Sequence, residues 1–181
     1  LAAALASTTA GATTFTFTDF SDLSDFTLNG ATAGINTGGQ GVIGPNAGDG
    51  RVLRLTNTTS QAGSAFLTNP VSLAQQASFS TAFTFQFTEQ QFGGADGIVF
   101  VVQTNAADVG GSGGGIGYQG IANSVGIEFD NWNNGGGDGN SANHAGINLN
   151  GNTSSVARAN LDSLGVLDQG DIWSAWVDYN G

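Results

Sequence analysis

Val125-Gly-Ile-Glu-Phe-Asp-Asn-Trp-Asn-Asn134 reads as a strand running into a loop. Val125, Ile127 and Phe129 fall on one side of it, and Gly126, Glu128 and Asp130 on the other, with the period of two that a pleated strand imposes. Glu128 and Asp130 therefore leave the same face, about 6.6 Å apart along the strand. Two carboxylates so placed repel unless a cation sits between or beside them.

The chain continues Gly135-Gly-Gly-Asp-Gly-Asn-Ser-Ala-Asn-His144, and this loop brings further ligand types. Trp132 offers a backbone carbonyl, Asn134 an amide oxygen and Asp138 a carboxylate, and His144 is the only imidazole in the chain. Asp130, Asn134, Asp138 and the Trp132 carbonyl are all oxygen donors, a set that suits Ca2+. Glu128 and His144, sharing Asp130 and Asp138, suit a transition metal such as Mn2+. The plainer alternative is an acidic strand end beside a solvated Asn/Gly loop, with His144 on the surface. Only 9% of residues are charged, which leaves few acids to cluster by accident.

Outward from this stretch the chain reads as one all-β domain. Phe15 and Phe17 precede a turn near Asp19, and Val52, Leu53 and Leu55 follow a turn at Asp49-Gly50. Phe79 to Phe87 alternates, with Phe79, Phe83, Phe85 and Phe87 on one face. Ile98 to Val102 is apolar on both faces, which predicts a central strand. Ile172 to Tyr179 is a last strand carrying Trp173 and Trp176. The glycine clusters at 110–117 and 135–139 read as loops. No segment of useful length has helical periodicity, and Glu occurs only at 89 and 128 while Lys is absent. With 181 residues, 39% of them hydrophobic, the chain can build one full core. Many short strands in one domain predict an antiparallel sandwich or barrel.

Three Arg against fourteen acids give a formal charge of −11, which excludes nucleic acid as a partner and makes anionic membranes poor ones. No stretch approaches a membrane span, so no membrane insertion is expected. There is no Cys, hence neither a disulfide framework nor thiolate chemistry. Residues 1–12 (Leu1-Ala-Ala-Ala-Leu-Ala6, then Ala10-Gly-Ala12) have the apolar and small-residue character of the end of a signal peptide, which predicts a secreted, extracellular protein with its domain over 13–181.

Glu-Phe-Asp-x-Trp-x-Asn over 128–134, then Asp138, then His-x-Gly-Ile-Asn-x-Asn over 144–150, resembles the metal-site signature of L-type (legume-lectin-like) lectins. That resemblance implies an antiparallel β-sandwich of the concanavalin A-like, jelly-roll kind. It implies that Glu128 and His144 hold a transition metal, usually manganese, that Asp130 and Asp138 bridge both ions, and that the Trp132 carbonyl and Asn134 complete calcium. Gly94-Ala-Asp-Gly-Ile-Val-Phe100 is similar to the segment whose Asp binds sugar hydroxyls after a cis, non-proline peptide bond, which points to Asp96. Gly113-Gly-Gly-Ile-Gly117 is similar to the loop whose backbone N–H meets the sugar, which points to Gly115. Alone, an Asp-Gly pair is more often a turn and a Trp more often core; in this order and company the resemblance implies that Asp96, Gly115, Trp132 and Asn134 form a sugar site. Thr27–Gly30, Arg51–Leu55 and Trp176–Gly181 match strands of the same fold, so the resemblance spans 15–181. It also implies further strands beyond Gly181.

The expected function is calcium-dependent binding of glycans or polysaccharide by a non-enzymatic domain, with self-association left open. A glycoside hydrolase on the same sandwich would need a second Glu soon after Glu128, where Asn131, Trp132, Asn133 and Asn134 stand instead. The alternative is a structural or adhesive module of an extracellular fibre or matrix, with calcium as stabiliser.

Overall fold

The computed structural model describes residues 13–44, 50–74, 76–89, 94–104 and 108–181. The expected leader at 1–12 and Asp49 of the Asp49-Gly50 turn lie outside them. Ten strands follow in chain order: β1 (Phe26–Gly30), β2 (Val42–Ile43), β3 (Arg51–Val52), β4 (Gly63–Leu67), β5 (Phe79–Gln86), β6 (Gly97–Gln103), β7 (Ser124–Asp130), β8 (His144–Leu149), β9 (Ala157–Asn160) and β10 (Ile172–Tyr179). One five-residue helix, α1 (Ala31–Ile35), and three 3-10 turns complete the described elements. The pairings are all antiparallel: β6-β7-β8-β9 form a four-stranded sheet, and β5 pairs with β10, β1 with β4, and β2 with β3. The architecture is the antiparallel β-sandwich expected from the sequence.

The aromatic face of β5 builds the main core. Phe85 pairs with Trp173 across the ladder, and Phe83 with Ala175. Phe85, Ala175, Leu161 and Leu167 are buried there, with Phe83, Phe87, Ile98, Phe129, Ala145 and Trp173 packed around them. Phe83 stacks on Phe100 at 5.5 Å, and Phe85 meets Phe129 at 4.7 Å, so the aromatic rings join β5 to the facing sheet. A second core lies on the other side of β6, where Ile116, Tyr118 and Ile121 cover Val99 and Val101.

That second core corrects the expectation of a central β6. Among the described residues β6 has one ladder neighbour, β7, and stands at the sheet edge. It is apolar on both faces because both faces are covered, one by the β5 side and the other by the 110–121 loop. Two other expectations change. No strand forms at Phe15 and Phe17; the Phe17 ring instead packs on Phe26 at 4.7 Å. β3 ends at Val52, short of Leu53 and Leu55, because side chains replace the ladder. Asn36 bonds both the N–H of Arg54 (3.1 Å) and its carbonyl (2.7 Å), and the Thr32 hydroxyl donates to the Leu55 carbonyl.

Tyr118 bolts the 110–121 loop to the sheet. Fully buried, its hydroxyl accepts from Ser124 Oγ at 2.9 Å and from the Gly151 N–H at 3.1 Å. Tyr118→Phe leaves both donors buried without that acceptor and should cost about 1–3 kcal/mol, read as a lower urea midpoint with an unchanged slope.

Candidate metal and sugar site

β7 alternates as its sequence requires, but the polar side is the buried one. Gly126, Glu128 and Asp130 are buried, Val125 is exposed, and Ile127 and Phe129 are half-buried. β8 does the same with His144, Gly146 and Asn148. The antiparallel register sets Asp130 opposite His144 and Glu128 opposite Gly146. Glu128, Asp130 and His144, exposed by only 1%, 3% and 1%, thus bring one ligand atom each within 4.8 Å of one another.

Burial of charge is costly, and each member of the trio answers it differently. Glu128 accepts three hydrogen bonds: from His144 Nε2 at 3.2 Å, from Asn148 Nδ2 and from Ser155 Oγ. Burial alone would raise its pKa, but these donors outweigh it and hold the carboxyl below the usual glutamate value. Gly146 leaves the room for this arrangement, since a Cβ there would stand 2.5 Å from Glu128 Oε1. Among the described residues Asp130 accepts only the Trp132 N–H, at 2.7 Å. Burial pushes it up to about 7, assisted by the charges of Asp138 and Glu128. His144 is raised, first by its bond to Glu128 and then by the neighbouring carboxylates. Its Nδ1 is buried without a hydrogen-bond partner among the described residues.

Asp138 lies outside that trio. It ends the 3-10 turn Gly136–Asp138, is buried, and its Oδ2 accepts the Asn134 N–H. Asn134 is exposed and reaches back with its amide, donating to Asp96 Oδ1 at 3.4 Å. Asp96 follows a cis peptide bond from Ala95, and its carbonyl accepts the Asn131 N–H at 3.0 Å, which ties the β6 entrance to the end of β7. Burial raises the Asp96 pKa against the opposing bond from Asn134. The 3-10 turn Gly113–Gly115 closes over the pair. A Cβ at Gly114 would stand 2.9 Å from the Asn134 amide nitrogen, and one at Gly113 would stand 3.9 Å from Asp96 Oδ2. Gly115, the expected sugar contact, is buried and its N–H donates to the Ser112 carbonyl at 3.1 Å. The glycines that border Asp96 and Asn134 are therefore Gly113 and Gly114. Trp132 is 42% exposed and does not belong to the core.

The donors fit the ions expected of them. Two carboxylates of β7 converge with the imidazole of β8, and a divalent cation would relieve both the burial and the neighbouring negative charge that raise Asp130. Sequence reasoning missed Asn148, Ser155 and Asn143. Asn148 carried a signal, the period of two from His144 through Gly146. Ser155 and Asn143 carried none, because their partners are 27 and 19 residues or more away: Ser155 meets Glu128, and Asn143 bonds Asp162, Gly165 and Leu167.

An antiparallel sandwich with an acidic, histidine-containing strand end beside a glycine turn defines a lectin-like class, and comparison places the chain within it. Residues 12–181 match the legume lectin domain, and the chain belongs to that family. It is similar to the L-type lectin-domain containing receptor kinase VIII.1 of Arabidopsis thaliana, 31% identical over 140 residues. That match takes in 70% of this chain and 19% of the kinase, so the chain spans about a fifth of that protein's length. The fold is also that of basic winged bean lectin solved with Tn-antigen (TM-score 0.65, 22% identity, 88% of this chain and 68% of that one). The metal-free form of lectin I-B4 from Griffonia simplicifolia superposes with a TM-score of 0.60 at 27% identity, over 87% of this chain and 68% of that one.

The direction of these shifts gives a pH test. Asp130 and His144 bind protons more tightly in the fold than in the unfolded chain, so their contribution to stability is present at low pH and lost as pH rises through their folded values. Glu128 acts oppositely, but below its ordinary value near 4.5. In EDTA the urea midpoint should therefore fall between pH 5 and pH 8, and Asp130→Asn should flatten that fall.

Proposed function

We propose that the chain is a glycan-binding domain whose sugar site is held in shape by calcium, with a transition metal such as manganese beside it, and that it acts outside the cell. The observation that carries this reading is the meeting of Asp96 and Asn134 at 3.4 Å beside Gly113 and Gly114, one loop from Glu128, Asp130 and His144. A hexose hydroxyl can donate to the Asp96 carboxylate and accept from the Asn134 amide, and backbone N–H groups of the glycine turn add donors. The exposed Trp132 ring offers a surface for the apolar face of a pyranose.

Asp130, Asp138, Asn134 and the Trp132 carbonyl would hold calcium, and Glu128 and His144 would hold the transition metal with the shared carboxylates. A bound cation supplies the positive charge that three crowded carboxylates lack. Protons compete with it for Asp130 from about pH 7 downward. Hydrolysis is disfavoured because Glu128 is buried and engaged by three donors, while the other Glu, Glu89, is paired with Arg54.

A glycan array run in calcium and again in EDTA tests the reading. Asp96→Ala should abolish glycan binding and leave calcium binding intact, and Asn134→Ala should lose both. Calcium at a hundredfold excess over Kd should add about 2.7 kcal/mol of stability, removed by EDTA. Glycan binding unaffected by EDTA would overturn the metal dependence. Calcium binding with no glycan bound would turn the reading to a calcium-stabilised matrix module.

A further inference from the structure

Arg158 stands on β9, opposite Gly146, which is itself opposite Glu128. Residues opposite one another in a ladder share a face, so the Arg158 side chain rises on the side that carries the Glu128 carboxylate. It does not pair with that carboxylate. Its Nη1 donates to the Gly137 carbonyl, in the middle of the Gly136–Asp138 turn. Its guanidinium also lies flat against Gly139, where a Cβ would stand 3.0 Å from Nη2 and 3.1 Å from Cζ and Nε. Gly139 has φ +64, so a side chain there is excluded twice, by conformation and by the guanidinium.

Side chains also tie the two ends of the turn, Asn133 Oδ1 accepting the Gly135 N–H at 2.8 Å and the Asn160 amide donating to Ser141 Oγ at 3.4 Å. Among the described residues Arg158 is the side chain bonded to its middle. Four backbone bonds of 3.0–3.3 Å within 135–141 and the Asn134–Asp138 contact close it on itself. Gly135, Gly136, Gly137 and Gly139 give it large conformational freedom to lose. The Gly137 carbonyl belongs to the peptide on which Asp138 is mounted. The other two arginines are tied elsewhere, Arg51 to the Gly41 carbonyl and Arg54 to Glu89.

We propose that Arg158 is a positioning residue for the cation site: it orders the 135–139 turn before any ion binds and so presents Asp138 in place. This rests on the metal reading under Proposed function, and it concerns a residue that touches neither ion nor sugar. A cation near a cation site has two opposite effects, repelling the ion and fixing its ligand, and the geometry makes fixing the larger. The guanidinium is spent on a carbonyl and on packing over Gly139, not on a carboxylate that the ion needs.

Arg158→Gln removes the charge and the fork, while Arg158→Lys keeps the charge and one donor. Calcium affinity of each variant is measured by isothermal titration, with melting and amide exchange at Asp138, Gly139 and Asn140 followed in EDTA. Arg158→Gln should weaken calcium about tenfold, as loss of a group that orients a ligand does. Arg158→Lys should recover part of that loss. Exchange in EDTA should quicken at the three loop amides while melting in EDTA stays that of the parent, since Arg158 is exposed on an edge strand. Unchanged or tighter calcium binding by Arg158→Gln overturns the proposal, as does weaker binding with unchanged loop exchange or with an equal loss of melting temperature in EDTA. A parent that binds no calcium defeats the metal reading instead, and loop exchange then decides the clamp alone.

Discussion

The site depends on carboxylates that the fold keeps out of water. Glu128, Asp130 and His144 are buried on the face of β7 and β8 opposite the one that Phe129 and Ala145 turn to the main core, and Asp138 is buried beside them. Their desolvation must be met locally. Glu128 meets it with three donors, and Asp130 meets it by keeping its proton to about pH 7. The two carboxylates have the same sequence pattern and opposite electrostatic fates. Donor count decides between them, since among the described residues Asp130 has one hydrogen bond where Glu128 has three.

The rest of the fold reads as support for that arrangement. The β5 aromatics hold one sheet against the other, and the 110–121 loop covers the opposite face of β6. Tyr118 anchors this loop to Ser124 at the start of β7, the strand whose far end carries Asp130. The glycine turn over Asp96 and the acidic strand end are therefore mounted on one rigid element. The Asp96 carbonyl, bonded to the Asn131 N–H, closes the circuit at the other end. Positions on strands and pinned turns are held more precisely than positions on free loops.

Relatedness and geometry bear on different questions. Membership in the legume lectin domain family and likeness to two lectin structures establish class and fold. The particulars of the site come from this chain's own residues: an exposed Trp132, a Gly115 whose N–H is already spent, and an arginine against the Asp138 turn.

Much was legible from the sequence because it depends on spacing along one strand or on residue type. The period of two placed Glu128 with Asp130 on one face and lined up the β5 phenylalanines, and composition excluded long helices and cationic surfaces. Glycine clusters marked both turns. What periodicity cannot carry is which face of a strand is covered, because that is set by segments distant in the chain. β7 buries its polar face because Asn148 and Ser155 are there to receive it, and β6 is apolar on both faces because a loop replaces a second ladder neighbour. Leu53 and Leu55 lost their strand to the side chains of Asn36 and Thr32, 18 and 23 residues away from their bonding partners. Residue type and local period were determined by the sequence alone. Burial, donor count and the protonation of Asp130 were decided by tertiary contact, because each depends on polar partners brought together from separate strands and loops.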